Sequence, residues 1–195
     1  MKQNTRVITA LLLPHHAKAT CTFNNNFNFK VTLKISVEGG KTGELVFGLY
    51  GKSCPLTVEN FVKLATHEKG YGYKGSKFYL LVPGHMIMGG DIINNNGTSG
   101  RSALDVPFEN ENLKLRHLSA GTLATVGLKN NSDSKFNSQF YITFGPSTSF
   151  DGTSVVFGRV LEGELLIQVV ANGAKLLAPH IRGQVMVCES SKSPI

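Results

Sequence analysis

Residues 29–49 constrain the fold most, because two apolar–polar alternations flank a glycine-rich turn. In "FKVTLKISV", from Phe29 to Val37, every second residue is apolar, and the residues between are Lys, Thr or Ser. A period of two residues gives a strand one apolar face. The turn signal "EGGK" follows, and "TGELVFGLY" supplies a partner strand. The segment therefore predicts an antiparallel hairpin that buries one face.

The remaining pattern consists of short strands and two helices. The first helix is predicted in "SCPLTVENFVKLATHEKG", with Pro55 near its start and Gly70 as its C-terminal cap. The second is predicted at about 162–171 and is closed by Gly173. Further strands are predicted in "KFYLLV", "MIMGGDI", "AGTLATVG", "QFYITFG", "SVVFGRV" and near "GQVMVCE", with a polar loop over 128–138. Without strand–helix–strand alternation, these elements predict a closed antiparallel β-barrel with helical caps.

The charge of the chain is concentrated at its N-terminal end. The net charge is +7 over 195 residues, and residues 1–37 contain Lys2, Arg6, Lys18, Lys30 and Lys34 but no acidic residue. The chain has no run of five or more basic residues. The excess therefore reflects a basic arm and does not favour nucleic acid as a partner. No apolar run approaches the ~18 residues of a membrane-spanning helix.

Residues 1–27 form this basic arm, and three interpretations of it remain open. The segment "VITALLL" before Pro14 is a short candidate for the apolar region of a secretory signal. A basic, acid-free segment also resembles a mitochondrial presequence. The third interpretation is an uncleaved extension that docks on another protein subunit. We expect the domain itself at 28–189 and a solvated tail at 190–195.

The spacing of the cysteines and histidines indicates the redox state of the compartment and whether a metal site is expected. Cys21, Cys54 and Cys188 are widely separated, which argues against a disulfide scaffold and for an intracellular, reducing compartment. The pattern does not distinguish the cytoplasm from a mitochondrion or another organelle. The six histidines show no ligand spacing, so no metal site is expected.

At the level of motif order, the chain resembles the cyclophilin family of peptidyl-prolyl cis-trans isomerases. The matching segments are "TVENFVKL" (57–64), "GYGYKGSKFY" (70–79), "VPGHMIMGGD" (82–91), "NNGTSGRS" (95–102), "FENEN" (108–112), "NSQFYITFG" (137–145) and "FDGTSVVFGRVLEG" (150–163). The resemblance covers roughly residues 28–189. It implies an eight-stranded antiparallel barrel with a helix at each end, an apolar groove for proline-containing peptides, and no cofactor.

The catalytic pattern of this family reads F-H-R-x-x-P-x-F-M-x-Q-G-G-D. Rotation about a peptide bond faces a barrier of ~18–20 kcal/mol, and the family's arginine donates a hydrogen bond that favours the twisted prolyl nitrogen. Here the arginine position is Leu80, the supporting glutamine position is Met88, and the family's histidine position is Tyr79. Pro83, Gly84, Gly89, Gly90 and Asp91 match the pattern.

By the same resemblance, the groove residues are partly retained and partly replaced. They are Phe78, Leu80, His85 in place of a Phe, Met86, Met88, Val126 and Gly127 in place of Ala-Asn, Gln139, Tyr141 in place of a Phe, Phe150, and Ser154 in place of a His. The family's tryptophan position is Ser149. Along a strand, Met86 and Met88 should share one face. His85 is interpreted as a ring that fills the pocket, since this rotation requires no proton transfer.

These departures predict a cyclophilin-like domain with little or no isomerase activity. Loss of one preorganised donor typically costs ~10²–10³ in rate. Such a domain would act as a peptide-binding or structural interaction module, for example as a subunit of a larger complex. Other subunits would dock through residues 1–27 and 128–138. The alternative is an active isomerase that assists folding, in which Met86, Gln139 and Tyr141 still distort a bound prolyl peptide.

Overall fold

The computed structural model describes residues 27, 29–36, 42–105, 108–127, 135–163, 180–181 and 188–189. Its elements, in chain order, are β1 Phe29–Ser36, β2 Thr42–Leu49, α1 Pro55–Thr66, β3 Phe78–Val82, β4 Met86–Gly89, β5 Phe108–Glu109, β6 Thr122–Thr125, β7 Lys135–Phe136, β8 Phe140–Thr143, the 3₁₀ helix Thr148–Phe150, β9 Val156–Glu162, β10 His180–Ile181 and β11 Cys188–Glu189.

Nine of these strands form one antiparallel sheet that curves into a half-barrel. Their order is β10-β1-β2-β9-β6-β8-β4-β3, and β11 also pairs with β1. The prediction of a mainly β fold of antiparallel strands is therefore confirmed. The predicted second helix at 162–171 falls mainly on residues outside the described ranges, and Glu162 itself ends β9. Closure of the barrel between β3 and β10 stays a prediction.

The hairpin that opens the sheet follows the predicted alternation. Val31, Leu33 and Ile35 of β1 are buried, while the alternating residues Lys30, Thr32 and Lys34 are partly or fully exposed. The strands β1 and β2 pair without a break from Phe29 opposite Leu49 to Ser36 opposite Thr42. The "EGGK" turn between them lies outside the described residues.

Helix α1 begins where predicted but ends earlier. Pro55 occupies the first turn, and the carboxylate of Glu111 accepts the N–H groups of Leu56 and Thr57 at 2.9 and 3.0 Å. A residue from a distant loop thus supplies the cap that the local sequence lacks. The predicted cap at Gly70 is wrong. The helix ends at Thr66 because His67 adopts the left-handed conformation (φ 61°) that reverses the chain.

The interior of the half-barrel is an aromatic cluster built around Phe61 of α1. Its ring lies 5.2–6.0 Å from the rings of Phe47, Tyr73, Phe140 and Phe157. All of these side chains are almost completely buried. Burial of each contributes about 1.5–3 kcal/mol by apolar transfer alone, so α1 holds the sheet in place.

The predicted polar loop at 128–138 is not entirely a loop. Lys135 and Phe136 form β7, which pairs with Phe108 and Glu109 of β5. Phe136 is 1% exposed and anchors this two-stranded ribbon. A two-residue strand has no measurable period, which is why the alternation rule missed it. Residues 128–134 lie outside the described ranges.

Candidate peptide-binding groove

The two faces of β4 contribute to two different apolar clusters. One cluster fills the barrel interior, and the other lies on the outer face of the sheet. Ile87 packs in the interior cluster, whereas Met86 and Met88 belong to the outer one. The two methionines therefore share a face, as the alternation predicts. Alongside them lie Ala124, Tyr141 and Val156, which are buried, and Tyr50, Val82, Leu115, Val126 and Phe150, which are partly buried. We call these residues the groove cluster.

One end of the groove cluster is lined by three rings. Phe150, from the 3₁₀ helix, lies 5.3 Å from the ring of His85 and 5.3 Å from that of Tyr141. Ser154 is buried nearby, where its hydroxyl acts on the pKa of Tyr141, and Ser149 is exposed. His85, Tyr141 and Phe150 thus lie together with Met86, and these are residues that the sequence predicts to line the pocket for a proline ring.

Leu80 lies on β3, in register with Met88 on β4. Its side chain is 43% exposed, and a register shift between Phe78 and Leu80 marks an irregularity in this strand. The neighbouring Leu81 packs against the interior instead. At the position where the family places a guanidinium donor, this chain therefore presents a solvated apolar side chain beside a methionine.

Gln139 is buried, and its amide is engaged by the protein itself. The Oε1 atom accepts a hydrogen bond from the Tyr79 hydroxyl at 2.6 Å. The Nε2 atom donates to the carbonyl oxygens of Ser99 at 2.6 Å and Gly97 at 3.3 Å. Burial raises the pKa of Tyr79 to about 12, with the Asp91 carboxylate acting in the same direction, so its hydroxyl stays a donor at neutral pH. Tyr79 thus holds Gln139 against the loop rather than toward a ligand.

A hydrogen-bonded chain, Asp151–His117–Tyr141, supports the ringed end of the groove. The Oδ1 atom of Asp151 lies 2.9 Å from His117 Nδ1 and also accepts the backbone N–H of His117 at 2.8 Å. A carboxylate only accepts, so Nδ1 carries the proton, and in the neutral ring Nε2 accepts the Tyr141 hydroxyl at 2.8 Å. Burial raises the pKa of Tyr141 to about 12, opposed by Ser154 and reinforced by Asp151. The phenol is therefore a neutral structural group.

The hydrogen-bonded series of Tyr141, His117 and Asp151 ends at the surface in an ion pair between Asp151 and Arg116. Arg116 Nε donates to Asp151 Oδ2 at 2.9 Å. The hydrogen bonds from His117 and then from Arg116 lower the pKa of Asp151 to about 2. The carboxylate that orients His117 is consequently ionised across the physiological range.

Asp91 keeps the glycine-rich frame of the groove in shape. Its carboxylate accepts the backbone N–H groups of Ile93, Asn94, Asn96, Gly97 and Ser99 and the Ser99 hydroxyl. Burial by itself would raise the pKa of Asp91, but these hydrogen bonds outweigh it and hold the pKa well below its ordinary value. The preceding Gly90 has φ 86°, and a Cβ there would lie 2.3 Å from the Ser138 carbonyl oxygen.

Two of the predicted groove residues lie away from the groove cluster. Phe78 is 5% exposed, and its ring packs against Phe140 at 5.8 Å in the interior. Gly127 faces the Phe136 ring, which a Cβ would meet at 3.9 Å. Five others belong to the groove cluster: Met86, Met88, Val126, Tyr141 and Phe150. The remaining four border it: Leu80 beside Met88, His85 beside Phe150, Ser154 beside Tyr141, and Gln139 through Tyr79.

Sequence reasoning missed five members of the groove cluster, and it missed the partners of Tyr79 and Tyr141. The five are Tyr50, Val82, Leu115, Ala124 and Val156. One signal was available. A tyrosine at a buried position requires a partner for its hydroxyl, so Tyr141 implied a nearby acceptor. The 24 positions that separate it from His117 hid which one.

A model of the cyclophilin-type peptidyl-prolyl cis-trans isomerase family matches residues 32–188. The match includes α1, the whole groove cluster and all strands of the half-barrel except the first three residues of β1 and the last residue of β11. The fold and site therefore define a peptidyl-prolyl isomerase-like domain, and the chain belongs to the cyclophilin family. In the part of the chain that the structure describes, no helix is long and apolar enough to cross a membrane.

Proposed function

We propose that this cyclophilin domain has little or no isomerase activity and acts as a peptide-binding or structural interaction module. The observation that carries the proposal is Leu80, which lies beside Met88 where the family's donor and its support belong. Leucine cannot donate a hydrogen bond to the prolyl nitrogen. Removing one preorganised transition-state donor typically costs ~10²–10³ in rate.

The environment of Gln139 also supports the proposal. Both polar atoms of its amide have partners at 2.6 Å within the protein. Both N–H donors of Nε2 are engaged, so a ligand carbonyl would have to displace the Ser99 or the Gly97 carbonyl to accept from that amide. Such an exchange gives little net free energy, because one hydrogen bond replaces another.

The capacity to bind an apolar peptide is better preserved than the catalytic groups. Met86 and Phe150 still line a pocket with the rings of His85 and Tyr141. Methionine side chains adapt their shape to varied apolar partners. The groove is therefore suited to hold a proline-containing segment without accelerating its rotation.

A protease-coupled assay on a prolyl tetrapeptide tests this proposal. We expect no rate above background at high protein concentration, and a gain of about 10²-fold or more for the double variant Leu80→Arg, Met88→Gln. The matched control is Ile93→Arg, an equal change at a 56% exposed position outside both apolar clusters. A substantial rate in the unmodified protein would contradict the proposal.

The second candidate function is an active isomerase, and the pocket of His85, Met86 and Phe150 favours it. A neutral or charged imidazole can donate a hydrogen bond, so His85 would be the donor in that case. The variant His85→Phe separates the two functions. If the unmodified protein is active through this ring, the variant loses most of its rate; under our proposal there is no rate to lose.

We further propose that the domain belongs to a larger intracellular assembly, with docking through residues 1–27 and 128–138. The pairing of β7 with β5 supports this role for the second segment, since it ties Lys135 and Phe136 to the domain next to Gly127. Native size-exclusion analysis of the endogenous protein tests the idea. Elution at the 21.1 kDa of the single chain would contradict it.

A further inference from the structure

The described part of the chain begins at the margin of the groove. Phe27 stacks on Tyr50 with ring centroids 5.1 Å apart and planes 23° apart. The same ring covers Gly48, where a Cβ would lie 2.7 Å from it. Tyr50 in turn packs against the groove cluster. The N-terminal arm therefore joins the domain one aromatic ring away from the groove.

The arm contains a segment whose chemistry matches the groove. Residues 11–14 read Leu-Leu-Leu-Pro, with no charged or polar side chain. The groove cluster is almost entirely apolar, and the amide of Gln139 at its edge is engaged elsewhere. An apolar X-Pro segment has no polar side chain that would lose its hydration on entering such a site. Pro14 also biases Leu13 toward the extended conformation in which peptides lie along a sheet face.

The length of the arm permits this contact. The 13 steps from Phe27 back to Pro14 span up to ~43 Å when extended. A domain of this size has a radius of gyration of roughly 15 Å. The segment can therefore reach the pocket around Met86 and Phe150 from its attachment beside Tyr50.

Other prolines near the ends of the domain fit less well. Pro179 directly precedes β10, which pairs with Ile35 and Ser36 at the end of β1 remote from Phe29. Pro194 follows the residues Ser-Lys-Ser, whose polar groups would lose water in an apolar groove.

We propose that residues Leu11–Pro14 of this chain occupy its own groove, with Pro14 in the pocket of Met86, Tyr141 and Phe150. The inference rests on the proposed function of the groove as a peptide-binding site. Tethering gives the segment a millimolar effective concentration. It would exclude weak external ligands until a partner captures the arm, which makes the arm a regulator of the groove.

Methionine-methyl NMR on the full-length chain tests this proposal, because two of its four methionines, Met86 and Met88, lie in the groove. The variant Leu13→Asp should shift both signals, and the matched variant Ala19→Asp should not. Tenfold dilution should leave the unmodified spectrum unchanged. A synthetic peptide of residues 8–18 should then bind Leu13→Asp about tenfold or more tightly than it binds the unmodified chain.

Three results would overturn the inference in distinguishable ways. Equal peptide binding by both chains, with identical groove signals, would refute self-occupancy but leave the groove as a peptide site. No binding by either chain would refute self-occupancy and would also count against the groove as a peptide-binding site. Groove signals that change on dilution would show that a second copy supplies the segment.

Discussion

The inner and outer faces of the half-barrel differ in how tightly their side chains are packed. On the inner face, Phe47, Leu123 and Phe140 are at most 1% exposed and pack in one cluster with Phe61 of α1. On the outer face, the groove cluster leaves several members partly exposed, and Leu80 at its edge is 43% exposed. We therefore expect the inner face to contribute most to stability, and the exposed positions of the outer face, such as Leu80, to tolerate a change of side chain.

The largest expected effect is a difference in unfolding free energy between two Leu→Ala substitutions, one on each face. Leu123→Ala removes a fully buried side chain from β6 and should lower the free energy of unfolding by about 3–5 kcal/mol. Leu80→Ala should cost less than about 1 kcal/mol, because its side chain is already solvated. Urea denaturation of both variants measures the difference. Equal losses would show that the groove face is part of the stabilising core.

The next effect concerns the frame that the two faces share. Asp91→Asn replaces a carboxylate that accepts six hydrogen bonds with an amide whose NH₂ group opposes several N–H donors. We expect a loss of about 2–4 kcal/mol. Thermal denaturation, compared with Asp105→Asn, measures it, since Asp105 is an exposed carboxylate that pairs with Lys69 at the surface. A stability change no larger than that of Asp105→Asn would contradict the role of Asp91 as the frame.

Most of the fold could be predicted from local pattern, because strand alternation and helical spacing act over a few residues. The hairpin of β1 and β2 and the start of α1 at Pro55 follow from such patterns. The early end of α1 depends on His67 adopting a positive φ, which few non-glycine residues do. The pairing of β5 with β7 depends on contacts between residues far apart in sequence.

The candidate site was predictable in its side-chain types but not in its hydrogen bonds. Leu80 and Met88 could be placed because β3 and β4 are adjacent in sequence. The contact between Tyr79 and Gln139 joins residues 60 positions apart, and no periodicity encodes it. The same holds for His117 and Asp151. Long-range polar contacts of this kind decide whether a retained side chain is available to a ligand.

Removal of one hydroxyl tests how firmly the groove is held to the rest of the domain. Tyr141→Phe leaves His117 Nε2 buried without its donor and should lower the free energy of unfolding by about 1–2 kcal/mol. Tyr79→Phe, the same change at a half-buried site, should cost less and should free the Oε1 atom of Gln139, while Nε2 stays bonded to the loop. Guanidinium denaturation and amide NMR of Gln139 measure the two effects. If Tyr141→Phe is as stable as the unmodified protein, the hydrogen bond from Tyr141 to His117 contributes nothing to the free energy of unfolding.

The smallest effect is the acid dependence that Asp151 contributes. Its pKa is lowered from an ordinary value of 3.8 to about 2 by His117 and Arg116. The unfolded chain therefore binds a proton more readily than the folded chain between these values. The stabilisation is complete above about pH 4 and is lost as the pH falls through about 2.

The slope of stability against pH measures this contribution. Asp151→Asn should flatten the slope between pH 4 and pH 2, whereas the unmodified chain should lose stability steadily over that range. A carboxyl ¹³C titration should place the pKa of Asp151 at about 2. A titration at the ordinary value would mean that the ion pair with Arg116 and the bonds to His117 do not persist in solution. The ringed end of the groove would then be held by packing alone, and the two faces of the half-barrel would differ even more than the structure indicates.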